Sequence, residues 1–375
     1  MITSVRTIFV MLVLFVSSFG VFAGEKEPVV FIGESSSIHS KALDKKVPLS
    51  IHLPENYDSS KSNYPVIYMM GSDFKARFAL LASTLDVMAD RQIPPMILIG
   101  VDLPDGNFVL VPNRETGDTK SPDAYLDFLE AELIPHVEST YRTAPFSMLF
   151  GASNSGLFST YALLKKPELF NSYMASSPMY AWAPEVLKSQ VEQGPLKKLD
   201  EKRYLHIIYS DDDFVEVTES VPDFTDILNK HKPQKLSYHV TKLVNEGHVP
   251  ATDFTSLLMA QYPNFNAHET LDSVEKIQSH FAKLSKSYGY TMLPSMSMVF
   301  DLGTDLVRGK DFAAAEKTFH YALKIYPESK RAHFGMGYLH RAQGNIEDAK
   351  IMFKKALAID PDYGLAKRFL ERLES

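Results

Sequence analysis

Residues 146–165 read FSMLFGASNSGLFSTYALLK, and this stretch decides the fold class. Its first five residues are a nearly continuous apolar run, which is typical of a strand buried on both faces of a sheet. A turn rich in Gly, Ser and Asn follows at 151–156, and the residues at 157–165 have helical character. The sequence therefore predicts a strand, a tight turn and a helix in direct succession.

The same alternation of strand and helix extends in both directions along the chain. Further strands are predicted at residues 47–53, 66–70, 96–101, 171–176, 204–209 and 236–244. Helices are predicted between them at residues 77–89, 122–140 and 221–231, the second with apolar side chains at helical spacing. This pattern predicts an α/β domain with a doubly wound, mostly parallel sheet.

The C-terminal part of the chain repeats itself with a period of 34 residues. At that shift the coincident residues are Gly303 and Gly337, Ala315 and Ala349, Phe319 and Phe353, Ala322 and Ala356, and Pro327 and Pro361. Small residues where two helices approach, with a Pro closing the second helix, indicate tetratricopeptide repeats. A third, partial unit at 364–370 is predicted to form a capping helix. An ordinary pair of helical hairpins is the alternative.

The first 23 residues have the layout of a secretory signal peptide. Arg6 precedes an apolar run at 8–16, and small residues lead to Ala23. The run is shorter than the ~20 residues that a spanning helix needs, so it favours cleavage after Ala23 over a retained anchor. We therefore expect a periplasmic or secreted protein that makes no stable membrane insertion.

These patterns divide the chain into four segments. The predicted boundaries are a signal peptide at 1–23, an α/β domain at 24–265, a helical connector at 266–295 and two tetratricopeptide-like repeats with a capping helix at 296–375. Two repeats alone leave a large apolar surface uncovered. The helical stretch 271–288 is therefore the predicted bridge between the tail and the first domain.

Composition excludes several classes of protein. The 375 residues include 46 acidic and 39 basic side chains, which gives a net charge of −7, and no polybasic run is present, so nucleic acid is not an expected partner. The absence of cysteine excludes disulfides, thiolate metal sites, a cysteine nucleophile and a lipoprotein anchor. No His-Glu-x-x-His run or similar ligand spacing occurs, so a catalytic metal is not expected.

Ser153 lies in the turn between the predicted strand and helix. A turn in this context presents a serine hydroxyl above the strand ends, beside the N-terminus of the next helix, as a nucleophile requires. The segment departs from Gly-x-Ser-x-Gly because Ser155 stands at the last Gly position and Gly156 follows it. A Gly/Ser turn without chemistry is the alternative interpretation.

A serine nucleophile needs a base, and the base needs an acid that holds it in place. The predicted strand at 204–209 is followed by Ser-Asp-Asp-Asp-Phe, and the last predicted strand by Asn-Glu-Gly-His-Val-Pro, which contains His248. Asp213 is the first choice for the acid because Ser210 occupies the place of the turn Gly in a Gly-x-x-Asp arrangement; Asp211 is the alternative. Each aspartate could equally serve as a solvated turn residue or helix cap.

Two further groups of residues are candidates for substrate contacts. The backbone N–H of Asn154, together with those of Gly71 and Ser72 after the strand at 66–70, could form an oxyanion hole. The insert Pro-Met-Tyr-Ala-Trp after the strand at 171–176 contains Tyr180 and Trp182, which are predicted to line a substrate pocket, although buried packing is the commoner role of such aromatic residues.

Residues 40–263 resemble the esterase family of α/β-hydrolases that includes esterase D-like, feruloyl-esterase-like and siderophore-esterase-like enzymes. The segments that carry the resemblance are LPENYDSSKSNYPVIYMMGSD, YLDFLEAELIPHVESTYRT, GASNSGLFSTYAL, PELFNSYMASSP and NEGHVP. The resemblance implies a Ser153 nucleophile, a His248 base, an acid among residues 211–213 and no cofactor. The sequence differs from the family's usual residues at three positions, with Met70 in place of Asp, Ala152 in place of His and Ser155 in place of Gly.

The leading hypothesis is an exported serine hydrolase that cleaves a small-molecule carboxylic ester through an acyl-enzyme. One alternative is an interaction scaffold, in which a weakly active hydrolase-like domain accompanies a tail that binds a protein or peptide. Another is an acyltransferase that uses the same triad. The tail could also mediate self-association or cover the active site.

Overall fold

A computed structural model describes residues 32–374 except 56, 59, 72–74, 232 and 266–269. The predicted signal peptide therefore lies outside the described residues. Within the ranges given, no helix has both the length and the apolar character needed to span a membrane.

A sheet of eight strands forms the centre of the α/β part. The strands are β1 (Glu34–Ser40), β2 (Lys45–His52), β3 (Tyr64–Met70), β4 (Ile97–Val101), β5 (Thr143–Ala152), β6 (Ser172–Ser176), β7 (Arg203–Ser210) and β8 (Leu236–Leu243). Their spatial order is β1-β2-β4-β3-β5-β6-β7-β8. β2 pairs antiparallel with β1 and β4, and all other neighbours are parallel. The prediction of a mostly parallel α/β fold is confirmed.

Helices cover both faces of this sheet, which is why several of its central strands are buried along their whole length. Every residue of β3, β4 and β6 is buried. Successive residues of β3 alternate between two apolar clusters, with Tyr68 in one and Ile67 in the other. The helices of this part are α1 (Lys75–Met88), α2 (Lys120–Phe128), α3 (Ile134–Thr140), α4 (Asn154–Lys165), α5 (Pro184–Gln193), α6 (Val215–His231) and α7 (Asp253–Gln261).

The C-terminal part of the described residues contains six helices, the middle four of which pack as two similar pairs. They are α8 (Val274–Tyr288), α9 (Met296–Arg308), α10 (Phe312–Ile325), α11 (Lys330–Ala342), α12 (Ile346–Ile359) and α13 (Gly364–Glu374). A Cβ atom on Gly303 would lie 2.6 Å from the ring of Phe319, and one on Gly337 would lie 2.6 Å from the ring of Phe353. The same glycine-to-phenylalanine contact thus recurs once in each predicted repeat.

Helix α8 lies where the tail meets the α/β part. Its residues Ile277 and Phe281 belong to the same buried cluster as Phe146 of β5 and Met298 of α9. Residues 32–375 consequently form one compact unit. The predicted segment boundaries within this unit stay predictions.

Candidate active site

Ser153 occupies the turn between β5 and α4 in a strained backbone conformation. Its φ is 56° and its ψ is −118°, a region that non-glycine residues rarely adopt. Backbone hydrogen bonds hold this conformation. The Ser153 N–H donates to the Ser176 carbonyl at 2.8 Å, and the Ser153 carbonyl accepts from the N–H of Met179 at 3.3 Å and of Leu157 at 3.0 Å. Because α4 begins at the next residue, its positive N-terminal end lies beside Ser153.

The glycines around Ser153 allow backbone segments to approach closely. A Cβ atom on Gly151 would lie 1.9 Å from the Ser155 carbonyl oxygen, and one on Gly156 would lie 2.9 Å from that of Ser176. Ser155 itself is only 3% exposed. The small side chain at 155 therefore fits within the turn, and the contact with the neighbouring strand falls on Gly156.

His248 follows β8 and lies next to Ser153, although 95 residues separate the two in sequence. Its Nε2 atom is 3.1 Å from the Ser153 hydroxyl oxygen, and its Nδ1 atom is 2.6 Å from Asp213 Oδ1. The imidazole side chain is 21% exposed and the Asp213 side chain is fully buried. This hydrogen-bonded chain allows the imidazole to accept the hydroxyl proton while the carboxylate holds its Nδ1–H.

The three consecutive aspartates after β7 contact different partners. Asp211 accepts a hydrogen bond from the Asn245 N–H at 2.9 Å, and Asp212 accepts one from the Gly247 N–H at 2.8 Å. Both therefore hold the backbone of the loop that precedes the imidazole. Asp213 is the one that reaches the imidazole itself, so the structure does not place the alternative acid, Asp211, in that position.

The environment of Asp213 favours its ionised form. Burial alone would raise the pKa of this carboxyl, but hydrogen bonds from His248, from the Ser177 hydroxyl and from the Phe214 N–H outweigh burial and hold the pKa below its ordinary value. The Phe214 ring also stacks on the imidazole, with ring centroids 4.3 Å apart. A carboxylate therefore faces the imidazole at neutral pH.

The structure contradicts one of the three predicted oxyanion donors. The Gly71 N–H donates to the Val101 carbonyl at 2.9 Å, so it is already used where β3 and β4 end. Ser72 lies outside the described residues. The N–H of Asn154 belongs to the first turn of α4 and has no acceptor within its own helix. The Asn154 side chain donates to Asn107 at 3.0 Å, which joins this turn to the loop that follows β4.

A cavity of about 370 Å³ lies between that loop and Trp182. The rings of Phe108 and Trp182 stack with centroids 5.2 Å apart, and the guanidinium carbon of Arg114 lies 4.4 Å from the centroid of Trp182. Phe108 directly follows Asn107, which contacts Asn154. The backbone N–H of Trp182 donates to the carbonyl of Met179, whose own N–H donates to Ser153, so each wall is connected to the turn that contains Ser153. Trp182 thus lies in a cavity wall, and the prediction that it lines a substrate pocket stays a prediction.

Tyr180 does not line this cavity, contrary to the prediction. Its side chain is buried, its hydroxyl is 2.6 Å from that of Thr160, and its ring packs on Phe224 with centroids 4.6 Å apart. The short 3-10 helix Tyr180–Trp182 directs these two aromatic side chains differently, one into the core and the other to the cavity.

Asn107, Phe108, Arg114 and Ser177 are among the site residues that were not predicted from the sequence. The first three lie in the long connection after β4, and Ser177 directly follows β6. Such positions at the carboxyl edge of a parallel sheet are where ligand-binding loops occur, and this signal could have identified them. Among the residues that the structure describes, no group of three or more His, Asp or Glu side chains could hold a metal ion.

Fold and site together define an α/β-hydrolase, and comparison with known proteins identifies its family. The family model described as "Putative esterase" matches residues 40–232, just over half of the chain, and a tetratricopeptide-repeat model matches residues 300–364. The chain therefore belongs to this esterase family and carries a tetratricopeptide tail. It is a carboxylic-ester hydrolase.

Individual relatives are distant. The uncharacterized protein YjcH of Bacillus subtilis (strain 168) is 24% identical over 202 residues, which cover 52% of this chain and 79% of YjcH. The ferri-bacillibactin esterase BesA of the same organism is 26% identical over 152 residues, 34% of this chain and 52% of BesA. The crystal structure of an IroE-like serine hydrolase from Shewanella oneidensis has a TM-score of 0.62 at 21% identity and covers 82% of this chain and 99% of that one. At this identity the structural likeness shows the fold alone.

Proposed function

We propose that this protein is an exported serine hydrolase that cleaves carboxylic esters through an acyl-enzyme on Ser153. The observation that carries the proposal is the hydrogen-bonded chain from Ser153 through His248 to the buried Asp213, in a member of an esterase family. Export rests on the signal-peptide layout of residues 1–23.

The geometry supports the following reaction. The Ser153 hydroxyl oxygen attacks the ester carbonyl carbon while His248 Nε2 takes the hydroxyl proton, and the resulting oxyanion faces the Asn154 N–H. The imidazolium then gives its proton to the departing alcohol, which leaves an acyl-serine. His248 next accepts a proton from water, the hydroxide attacks the acyl carbon, and the acid departs as the proton returns to Ser153. Asp213 holds Nδ1–H throughout and stabilises the imidazolium.

The cavity beside Trp182 supports a substrate with an aromatic group. The stacked rings of Phe108 and Trp182 give the cavity an aromatic lining, and Arg114, Lys120 and Asp118 together give it a net positive charge. Among the relatives, BesA is named a ferri-bacillibactin esterase, and a protein of Aspergillus fumigatus is named a siderophore triacetylfusarinine C esterase. We therefore place aromatic esters of the siderophore type among the proposed substrates.

Replacing Ser153 by alanine tests the mechanism directly. We expect kcat on short p-nitrophenyl esters to fall about ten-thousandfold or more, because the reaction loses its nucleophile, and labelling by a fluorophosphonate probe to cease. Ser155→Ala is the matched control, since Ser155 is a buried serine of the same turn and is expected to keep both activities. Equal rates in the wild type and Ser153→Ala would reject the proposal.

One observation supports the alternative function as an interaction scaffold. Residues 300–364 match the tetratricopeptide repeat, and repeat proteins of this kind use their concave surfaces for binding. A folded wild-type protein whose Ser153 reacts with no probe, but which captures a partner through the tail, would favour that function. Acyl transfer would instead appear as a new ester when an alcohol acceptor is supplied.

Replacing Trp182 by alanine is expected to affect aromatic esters selectively. The KM for a benzoyl or feruloyl ester should rise about threefold to tenfold, because stacking on an aromatic ring contributes roughly 0.5–1.5 kcal/mol beyond the buried area. An acetyl ester of the same alcohol, which lacks an aromatic acyl group, is the control substrate, and its KM should change little. A uniform change in both values would contradict the placement of the aromatic group on Trp182.

A further inference from the structure

The turn that directly follows β6 contacts the strained residue at the centre of the proposed mechanism. The Ser176 carbonyl accepts the Ser153 N–H at 2.8 Å, and the Met179 N–H donates to the Ser153 carbonyl at 3.3 Å. Between these two contacts lies Ser177, whose side chain is fully buried. The turn thus contacts Ser153 through backbone groups, and the hydroxyl of Ser177 is not used in these contacts.

That hydroxyl joins the other two members of the triad. Ser177 Oγ donates to Asp213 Oδ2 at 2.5 Å and accepts the Val249 N–H at 3.0 Å. Val249 immediately follows His248 in the chain. Since Asp213 Oδ1 faces the imidazole at 2.6 Å, the carboxylate has one oxygen on the base and the other on Ser177.

The backbone on both sides of this hydroxyl is held in an unusual conformation. Ser177 has a φ of 43° and Val249 a φ of 53°, both in the left-handed region, which is especially unfavourable for a β-branched residue. The Ser177 N–H donates to the Ile208 carbonyl at 2.7 Å, which anchors the turn to β7. Strain of this kind persists only where surrounding contacts enforce it, and it concentrates at functional sites.

We propose that Ser177 is a positioning residue, whose hydroxyl holds the Asp213 carboxylate and the His248 loop together so that the imidazole remains directed at Ser153. This inference rests on the proposed function. Without the hydroxyl, a buried carboxylate oxygen loses a donor and the Val249 N–H loses its acceptor, and both losses act on the orientation of the base.

The test compares Ser177→Ala and Ser177→Gly with Ser172→Ala. Ser172 lies in β6 and is equally buried, and its hydroxyl has no hydrogen-bond partner among the described residues. We expect kcat to fall roughly tenfold to a hundredfold in both Ser177 variants, since hydrogen bonds to charged groups are the stronger ones. KM should stay within about twofold, and Ser172→Ala should match the wild type.

The glycine variant separates the hydroxyl from the backbone, because glycine adopts a positive φ without strain. A folded Ser177→Gly protein with the wild-type kcat would overturn the inference, whatever the alanine variant does. Equal losses in the two variants, both with a wild-type circular dichroism spectrum, would support it.

A second measurement requires no substrate. The Nδ1–H proton of His248, hydrogen-bonded to Asp213, should give a low-field proton resonance in the wild type, and this resonance should shift upfield or vanish in Ser177→Ala. If the wild type cleaves no ester but the resonance shifts, the proposed function fails and the positioning role stands. If the wild type cleaves esters and Ser177→Ala changes neither kcat nor the resonance, the positioning role alone fails.

Discussion

Replacing Asp213 by asparagine is expected to lower kcat about ten-thousandfold, whereas the same replacement at Asp211 should leave most of the activity. The carboxylate of Asp213 holds the Nδ1–H of His248 at 2.6 Å, which leaves Nε2 free to take the proton of Ser153. An asparagine amide can donate to Nδ1 and so favour the tautomer that protonates Nε2. KM should change little, because Asp213 is fully buried and is not expected to touch substrate.

The neighbouring aspartates provide matched controls for this prediction. In Asp211→Asn and Asp212→Asn the side-chain oxygen that accepts a loop N–H is retained, so the loop before His248 should keep its position. The experiment is steady-state hydrolysis of p-nitrophenyl butyrate by the three variants. An Asp213→Asn enzyme with more than a tenth of the wild-type kcat would contradict the assignment, and an equal loss in Asp211→Asn would move the role of the acid to that residue.

The low pKa of Asp213 adds a dependence of stability on pH. The pKa of Asp213 is lower in the folded protein than in the unfolded chain. The carboxylate therefore stabilises the folded state fully at pH values above the pKa of the unfolded chain. This contribution is lost as the pH falls through the pKa of the folded state. The difference in unfolding free energy between wild type and Asp213→Asn should therefore be constant near neutral pH and should shrink below about pH 4. Urea denaturation at several pH values measures it.

The strand, turn and helix around Ser153 were predictable because they depend on local sequence. An apolar run, a Gly/Ser turn and a helical segment stand next to one another in the chain, and strand β5 and helix α4 follow that pattern. The proximity of Asp213 and His248 to Ser153 was also predictable, because parallel strands bring their carboxyl ends to one edge of the sheet. The tail was predictable from its period, since the contact of Gly303 with Phe319 recurs one repeat later.

The features that the sequence did not predict correctly depend on contacts between segments that are distant in the chain. Gly71 fails as an oxyanion donor because its N–H pairs with Val101, a contact that depends on which strand lies beside β3. Tyr180 was placed in the pocket because composition does not reveal which way each side chain of a three-residue helix points. The role of Ser177 depends on loops about 36 and 72 residues further along the chain, which sequence spacing alone does not bring together.

Disrupting a buried ion pair next to the segment that follows His248 is expected to have a large effect on stability. Arg77 of α1 pairs with Asp253 at the start of α7 and donates to the Pro250 carbonyl at 3.2 Å. The Arg77 side chain is 10% exposed and that of Asp253 is fully buried. The pair thus connects α1 to the segment after His248.

Replacing Arg77 by leucine should lower the free energy of unfolding at pH 7 by about 3–5 kcal/mol, because it leaves the charge of Asp253 buried without its partner. Burial raises the pKa of Asp253, and Arg77 opposes that rise. Without Arg77 the pKa of Asp253 rises further, so the loss of stability should be largest above that pKa. It should diminish as the pH falls and the carboxyl becomes protonated.

Two comparisons make this prediction specific to the buried pair. Arg77→Leu combined with Asp253→Leu removes both charges and should recover much of the lost stability, since an apolar pair of similar volume is often no worse than a buried ion pair. Arg308→Leu removes the partner of Asp305 in an exposed pair on α9 and should have a much smaller effect. Urea denaturation at pH 7 and at pH 5 measures all three proteins. If the double variant is no more stable than Arg77→Leu and neither responds to pH, the loss comes from packing around the arginine rather than from an unpaired carboxylate.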